Sequence, residues 1–214
     1  MVHIEEIDDD EPPPLEVNAE ESDAEEARFI IGLVASGLYL GNMFALNRAV
    51  LDEHGISHVI AVGKDLPCAL SEDARISHET FRWTPTAASE QVQYEYEEDG
   101  IGYMVLEVED SADVALLNFM HGCFEFIKSA LKDEGANRKS RVLVACEEGT
   151  SLSVTVLASY LICEGHVAHE AAMESILRVQ PSAEPNRGFA RHLRYLERNK
   201  SLPNWVLPSG CINK

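Results

Sequence analysis

The chain has 214 residues, 45% of them hydrophobic, which is enough for one core of ordinary size plus tails. Its formal net charge of -20 is concentrated at the start: residues 1–27 hold 12 acidic side chains and no Lys or Arg, and the remaining 187 residues carry 17 basic and 25 acidic ones. That balance argues against binding nucleic acid or an anionic membrane, and no apolar run approaches the ~18 residues of a membrane span.

The acidic start has Pro12-Pro13-Pro14 in its middle and few apolar residues, so 1–27 reads as a disordered acidic tail whose main role is solubility and self-repulsion, with docking to a basic partner as the alternative. It lacks the basic and apolar regions of a secretory signal, and Val2 stands where myristoylation needs a glycine. Five cysteines, odd in number and irregular in spacing, fit reduced thiols in a cytoplasmic or nuclear setting.

Next come two strands, Phe29-Ile30-Ile31-Gly32-Leu33-Val34 and Leu38-Tyr39-Leu40, around the turn Ala35-Ser36-Gly37. Asn42 opens an expected helix with Phe44, Leu46, Val50 and Leu51 near one face, ended by His54-Gly55. Ser57-His58-Val59-Ile60-Ala61-Val62 is a buried strand, so this stretch makes a β-α-β unit with a parallel pair, and the architecture is α/β. From about 63 to 102 the chain turns long and polar. Phe81-Arg82-Trp83 reads as a strand and Gln91-Val92-Gln93-Tyr94 as a hairpin arm leading to the turn Asp99-Gly100. Such an insertion is either a partner-binding element or a passive surface excursion.

A strand over 104–108 closes at Asp110, which with Ser111 and Asp113 reads as the cap of a helix over 114–132. A strand over 140–145, a helix over 154–165, a helix over 169–179 and a last helix over 186–198 follow, leaving 201–214 as a C-terminal tail. Arg187, Arg191, Arg194 and Arg198 recur at helical spacing and read as a solvated face paired with the acidic surface, with an anion site as the alternative. Cys211, four from the end, precedes a polar third residue and a terminal lysine, which disfavours prenylation. The eight histidines form no metal-ligand pattern, so neither metal nor cofactor is expected.

The most informative run is Val142-Leu143-Val144-Ala145-Cys146-Glu147-Glu148-Gly149-Thr150-Ser151-Leu152-Ser153. A strand, a glycine turn and a helix place a thiol at the mouth of a loop whose backbone N–H groups cradle an anion, aided by the helix N-terminus. Taken alone, a cysteine ending a buried strand is more often a packed small hydrophobe.

With its surroundings, the window 30–199 resembles the dual-specificity branch of the protein tyrosine phosphatases. The resemblance rests on Gly37-Leu38-Tyr39-Leu40-Gly41-Asn42, Ala45, Asn47, Leu51, Gly55-Ile56-Ser57-His58-Val59-Ile60, Val105-Leu106-Glu107-Val108-Glu109-Asp110, Ser159-Tyr160-Leu161, Arg178-Val179-Gln180-Pro181, Pro185-Asn186 and Phe189, in that order. It implies a phosphatase-like domain over 28–200, a central mixed, mainly parallel sheet flanked by helices, and a phosphate loop of Ala145, Cys146, Glu147, Glu148, Gly149, Thr150, Ser151 and Leu152. It also implies Cys146 as nucleophile, Asp110 as a vestigial or weak general acid, with Asp113 as a nearby alternative, and Ser153 as a further catalytic group.

The family loop reads His-Cys-x-x-Gly-x-Ser-Arg-Ser, and this chain keeps Cys146, Gly149, Ser151 and Ser153. Ala145 replaces the histidine and Leu152 the arginine. The arginine forks onto two phosphate oxygens in substrate and transition state, and by analogy with other phosphoryl-transfer arginines its loss costs on the order of 10³-fold in rate or more. Glu147 and Glu148 add negative charge at the rim.

The resemblance with these departures implies a pseudophosphatase, a binding or scaffolding module for a phosphorylated or other protein partner, its oligomeric state left open. The alternative is a slow phosphatase acting on phosphotyrosine and phosphoserine/threonine, in which a cation such as Arg187 or Arg191 replaces the missing charge. Redox sensing by Cys146 is a weaker third reading, because the loop holds no resolving cysteine.

Overall fold

In a computed structural model, residues 29–69, 82–84, 92–132 and 140–203 are described. The expected acidic tail 1–27, Phe81, Gln91, the helix exit at Asp133-Glu134-Gly135 and Cys211 lie outside the described residues.

Among the described residues seven strands form one sheet: β1 Ile31–Ala35, β2 Leu38–Asn42, β3 His58–Val62, β4 Arg82–Thr84, β5 Val92–Glu98, β6 Ile101–Glu107 and β7 Val142–Cys146, in the order β1-β2-β7-β3-β6-β5-β4. The four middle strands β2, β7, β3 and β6 are parallel, and the flanking pairs are antiparallel. This is the expected mixed sheet with a parallel centre. β7 is buried at every residue, as a central parallel strand covered on both faces must be. The hairpin β5-β6 turns through Asp99 (φ 50°) and Gly100 (φ 76°), two consecutive left-handed residues as a tight type I′ turn requires.

Among the described residues five α-helices cover the sheet: α1 Arg48–His54, α2 Leu117–Lys132, α3 Leu152–Cys163, α4 His169–Leu177 and α5 Arg187–Asn199. The alternation of strand side chains divides the core in two. Ala61, Val105, Leu143 and Ala145 face α1 and the stacked rings of Tyr96 and Tyr103, whereas Ile60, Met104, Val144 and Cys146 face α2 and α3. α3 is apolar around nearly its whole circumference, which makes it the buried helix of the larger core.

Two expected helices begin elsewhere. The single helix from Asn42 is a 3-10 turn, Met43–Leu46, followed by α1, because Asn47 adopts an extended conformation (φ -71°, ψ 134°) and caps α1 through Oδ1, which accepts from Ala49 N at 3.0 Å. Phe44, expected on the buried face, is 44% exposed as a result. α2 starts at Leu117 instead of 114. Val114, Leu116 and Leu117 all bury their side chains, and a continuous helix would set Leu116 about 200° from Val114, so the chain passes through successive turns first. Asp110 does not cap α2.

Candidate functional site

β7 ends at Cys146 and α3 begins at Leu152, so the five residues 147–151 form a tight loop at the carboxyl end of the parallel strands. Open α/β sheets place ligands at this end. Gly149 sits at φ 74°, and a Cβ there would lie 3.1 Å from the Gly41 carbonyl oxygen, so both conformation and space require glycine. The loop carbonyls are tied outward: Glu147 O accepts from Met43 N (3.1 Å), Glu148 O from Gln180 Nε2 (3.5 Å) and Thr150 O from Glu184 N (2.8 Å). Among the described residues, the amides of 147–151 have no protein acceptor. These donors are thus left open to an outside acceptor, which is one condition an anion-binding loop must meet.

Cys146 is 4% exposed, and its Sγ lies 3.0 Å from Ser153 Oγ, itself fully buried in the first turn of α3. Leu152 belongs to the larger core, yet it also lines the cleft that opens over Cys146. Ala145 points the other way, fully buried in the smaller core with Leu143.

Asp110 comes to this site from the loop after β6. Its Oδ1 accepts from Ser151 Oγ at 2.9 Å and from Asn186 Nδ2 at 2.6 Å. Asn186 N donates in turn to Ser151 Oγ (3.2 Å), and Asn186 Oδ1 caps α5 by accepting from Gly188 N (2.9 Å) and Phe189 N (3.1 Å). One three-residue knot joins the Asp110 loop, the cysteine loop and α5. Gly188 packs directly on the Ala112 backbone and leaves no room for a side chain between them. Asp113, the alternative acid, does not line the cleft.

The cleft has a volume of about 420 Å³ and is walled by the loops after β3, β6 and β7. Among the described residues five carboxylates line it, Asp65, Glu109, Asp110, Glu147 and Glu148, against one cation, Lys64. Lys64 Nζ contacts Glu109 Oε1 at 2.7 Å, and this ammonium holds the exposed Glu109 carboxyl below its usual range. No arginine lines the cleft among the described residues, so neither Arg187 nor Arg191 stands in for the missing guanidinium. Two like unit charges ~4 Å apart repel by about 1 kcal/mol even in bulk water, so a phosphate dianion meets an opposing field before it reaches the nest.

Sequence reasoning brought Cys146, Ser151, Leu152, Ser153 and Asp110 to one place, but it missed Lys64, Asp65 and Glu109 as lining residues and Asn186 as the partner of Asp110. The first three follow parallel strands at their carboxyl ends, and that topological position is the signal that marks them.

A cysteine at the mouth of a strand-loop-helix nest, with an aspartate brought in from a neighbouring strand end, defines the phosphate-loop class of α/β proteins. Residues 38–199 match the family model described as "Dual specificity phosphatase, catalytic domain", and the chain belongs to that family. It is 29% identical over 171 residues to dual specificity protein phosphatase 1 of Arabidopsis thaliana, covering 79% of this chain and 70% of that protein. It is 32% identical over 163 residues to dual specificity protein phosphatase 26 of Homo sapiens, covering 76% of this chain and 64% of that protein. The match thus spans about two thirds of the length of these relatives. The fold is similar to crystal structures of human DUSP28 (TM-score 0.59, 20% identity, 79% of this chain and 93% of that one) and of the human tyrosine phosphatase-like serine/threonine/tyrosine-interacting protein (TM-score 0.59, 20% identity, 79% and 96%). Among the described residues, no helix is long and apolar enough to cross a membrane.

Proposed function

We propose that this chain is a pseudophosphatase, a dual-specificity phosphatase domain over 28–200 with tails at 1–27 and 201–214 that binds a protein partner without turning over phosphate. The observation that carries this reading is the electrostatic make-up of the cleft: Leu152 occupies the position of the bidentate arginine, and five carboxylates face one lysine already engaged by Glu109. The nest of free amides gives the site a residual affinity for a phosphorylated or acidic side chain, and the 63–102 insertion, whose β4 is the outermost described strand on that side of the sheet, offers an edge for partner contact. Action in the cytoplasm or nucleus follows from the reduced-thiol reading of its cysteines.

A slow cysteine phosphatase is the second reading, and the 3.0 Å contact between Cys146 Sγ and Ser153 Oγ favours it by holding the sulfur in place at the mouth of the loop. In that case Cys146 attacks phosphorus in line, Asp110 protonates the leaving oxygen, and water releases phosphate from the sulfur. Asp110 Oδ1 is taken up by Ser151 and Asn186, which leaves Oδ2 to carry the proton. Hydrolysis of an aryl phosphate by the chain and by its Cys146→Ser variant separates the two readings.

A further inference from the structure

α5 carries a second charged surface that the cleft does not use. Arg187, Arg191, Arg194 and Arg198 are all exposed, and none forms an ion pair or hydrogen bond among the described residues. The expected pairing of this face with an acidic surface is therefore absent there. By contrast, Arg178 on the neighbouring stretch is matched by Glu174 at 2.9 Å. At 100° per residue the four arginines fall on one stripe roughly 16 Å long, and Tyr195, 41% exposed, lies beside them. Arginine and tyrosine together are the composition of a contact surface more than of a solvated one.

The chain contains a segment of opposite charge. Residues 1–27 hold 12 carboxylates without a single Lys or Arg. Where that segment joins the domain also matters. Ile30 is fixed at the cysteine-loop end of the sheet, its N–H donating to Asn42 Oδ1 (3.3 Å) and its carbonyl accepting from Asn42 N (3.1 Å). α5 begins at that same end, where Asn186 is tied to Asp110 and Ser151. Gly32 of β1 packs under Val179, in the connection from α4 to α5. An ideal coil of 27 residues would span roughly 30 Å, which exceeds the length of the stripe. Tethering would keep the effective concentration of the segment near the arginines on the order of 1 mM.

We infer that residues 1–27 dock on the arginine face of α5 within the same molecule, so that this face meets an acidic partner only after the segment is displaced. The occupant is this chain's own segment, held by charge and hence sensitive to salt.

The test uses the full chain carrying Arg191→Lys and Arg194→Lys, exposed changes that keep the charge and supply amines to a zero-length carbodiimide cross-linker. The expected result is carboxylates of 1–27 joined to positions 191 and 194 in the monomeric species, several-fold in preference to the exposed Lys132, with the preference lost near ~1 M salt, where the screening length is ~3 Å. Linkage to Lys132 in equal yield, or no linkage, overturns the proposal. Linkage found solely in a dimeric species also overturns it and assigns the face to a second copy. As an independent check, Arg187→Glu, Arg191→Glu, Arg194→Glu and Arg198→Glu together should expand the full chain in low-salt X-ray scattering; unchanged dimensions in a folded variant would contradict docking.

Discussion

Ser151 Oγ donates to Asp110 Oδ1 at 2.9 Å, and this bond ties the loop after β6 to the loop after β7 across the cleft. Asn186 Nδ2 reaches the same oxygen at 2.6 Å, so Asp110 serves as the acceptor that gathers three segments. Its place in the structure needs an acceptor oxygen whether or not a proton is ever transferred. Asp110→Ala should destabilise the fold by about 1–2 kcal/mol, since it strands two donors at the rim. Asp110→Asn should cost less. Urea unfolding of both variants checks this, and an unaltered midpoint for Asp110→Ala would show that the knot carries no stability.

Gly149 supplies the second prediction. Any L side chain there meets both a left-handed backbone at φ 74° and the Gly41 carbonyl oxygen at 3.1 Å. Gly149→Ala should lower stability by roughly 1–2 kcal/mol and open the nest. The check is the melting temperature of the variant.

Much of this arrangement is legible in the residue pattern, and where it is not, the reason is physical. The apolar run of β7 and the Asp99-Gly100 turn announce themselves, because a buried parallel strand and a type I′ hairpin each demand a narrow choice of residues. The break at Asn47 does not, since asparagine is at home both inside a polar helix face and as a cap. The late start of α2 depends on Leu116 finding space in the core, a tertiary fact that a periodicity scan does not contain. Cys146 and Leu152 stand out through their neighbours in the chain. Lys64, Asp65 and Glu109 reach the cleft from strands distant in sequence, and Asn186 meets Asp110 across 76 positions, so no local spacing links them.

Refitting the cleft for phosphate is the third test. Leu152→Arg removes a side chain that is 4% exposed in the core, at a cost of about 2 kcal/mol, and restores a guanidinium over the open amides. The variant should bind vanadate by calorimetry on the order of tenfold more tightly than the parent chain, or better. Adding Ala145→His should lower stability further by about 1–3 kcal/mol, because Ala145 is fully buried against Leu143 in the smaller core. No vanadate binding by folded Leu152→Arg would mean that the five carboxylates, more than the missing arginine, close the site to anions.

The buried thiols give a pH dependence. Burial pushes Cys123 up to about 12 and Cys163 up to about 11. In the unfolded chain both titrate near ~8.5. Above that value the unfolded state loses protons that the native state keeps, so their contribution is fully present below ~8.5 and is lost as pH rises toward the folded values. The urea midpoint should therefore fall between pH 8 and pH 10.5, and Cys123→Ala with Cys163→Ala should flatten that slope relative to the parent. An equal slope in the double variant would contradict the assignment.

The central claim is that Cys146 no longer turns over phosphate. Its most direct test is the steady-state rate of p-nitrophenyl phosphate hydrolysis by the chain beside Cys146→Ser, with Leu152→Arg as a third sample. The account predicts that the chain and Cys146→Ser are indistinguishable. A rate well above background that Cys146→Ser abolishes would contradict it and make this protein a working phosphatase despite Leu152.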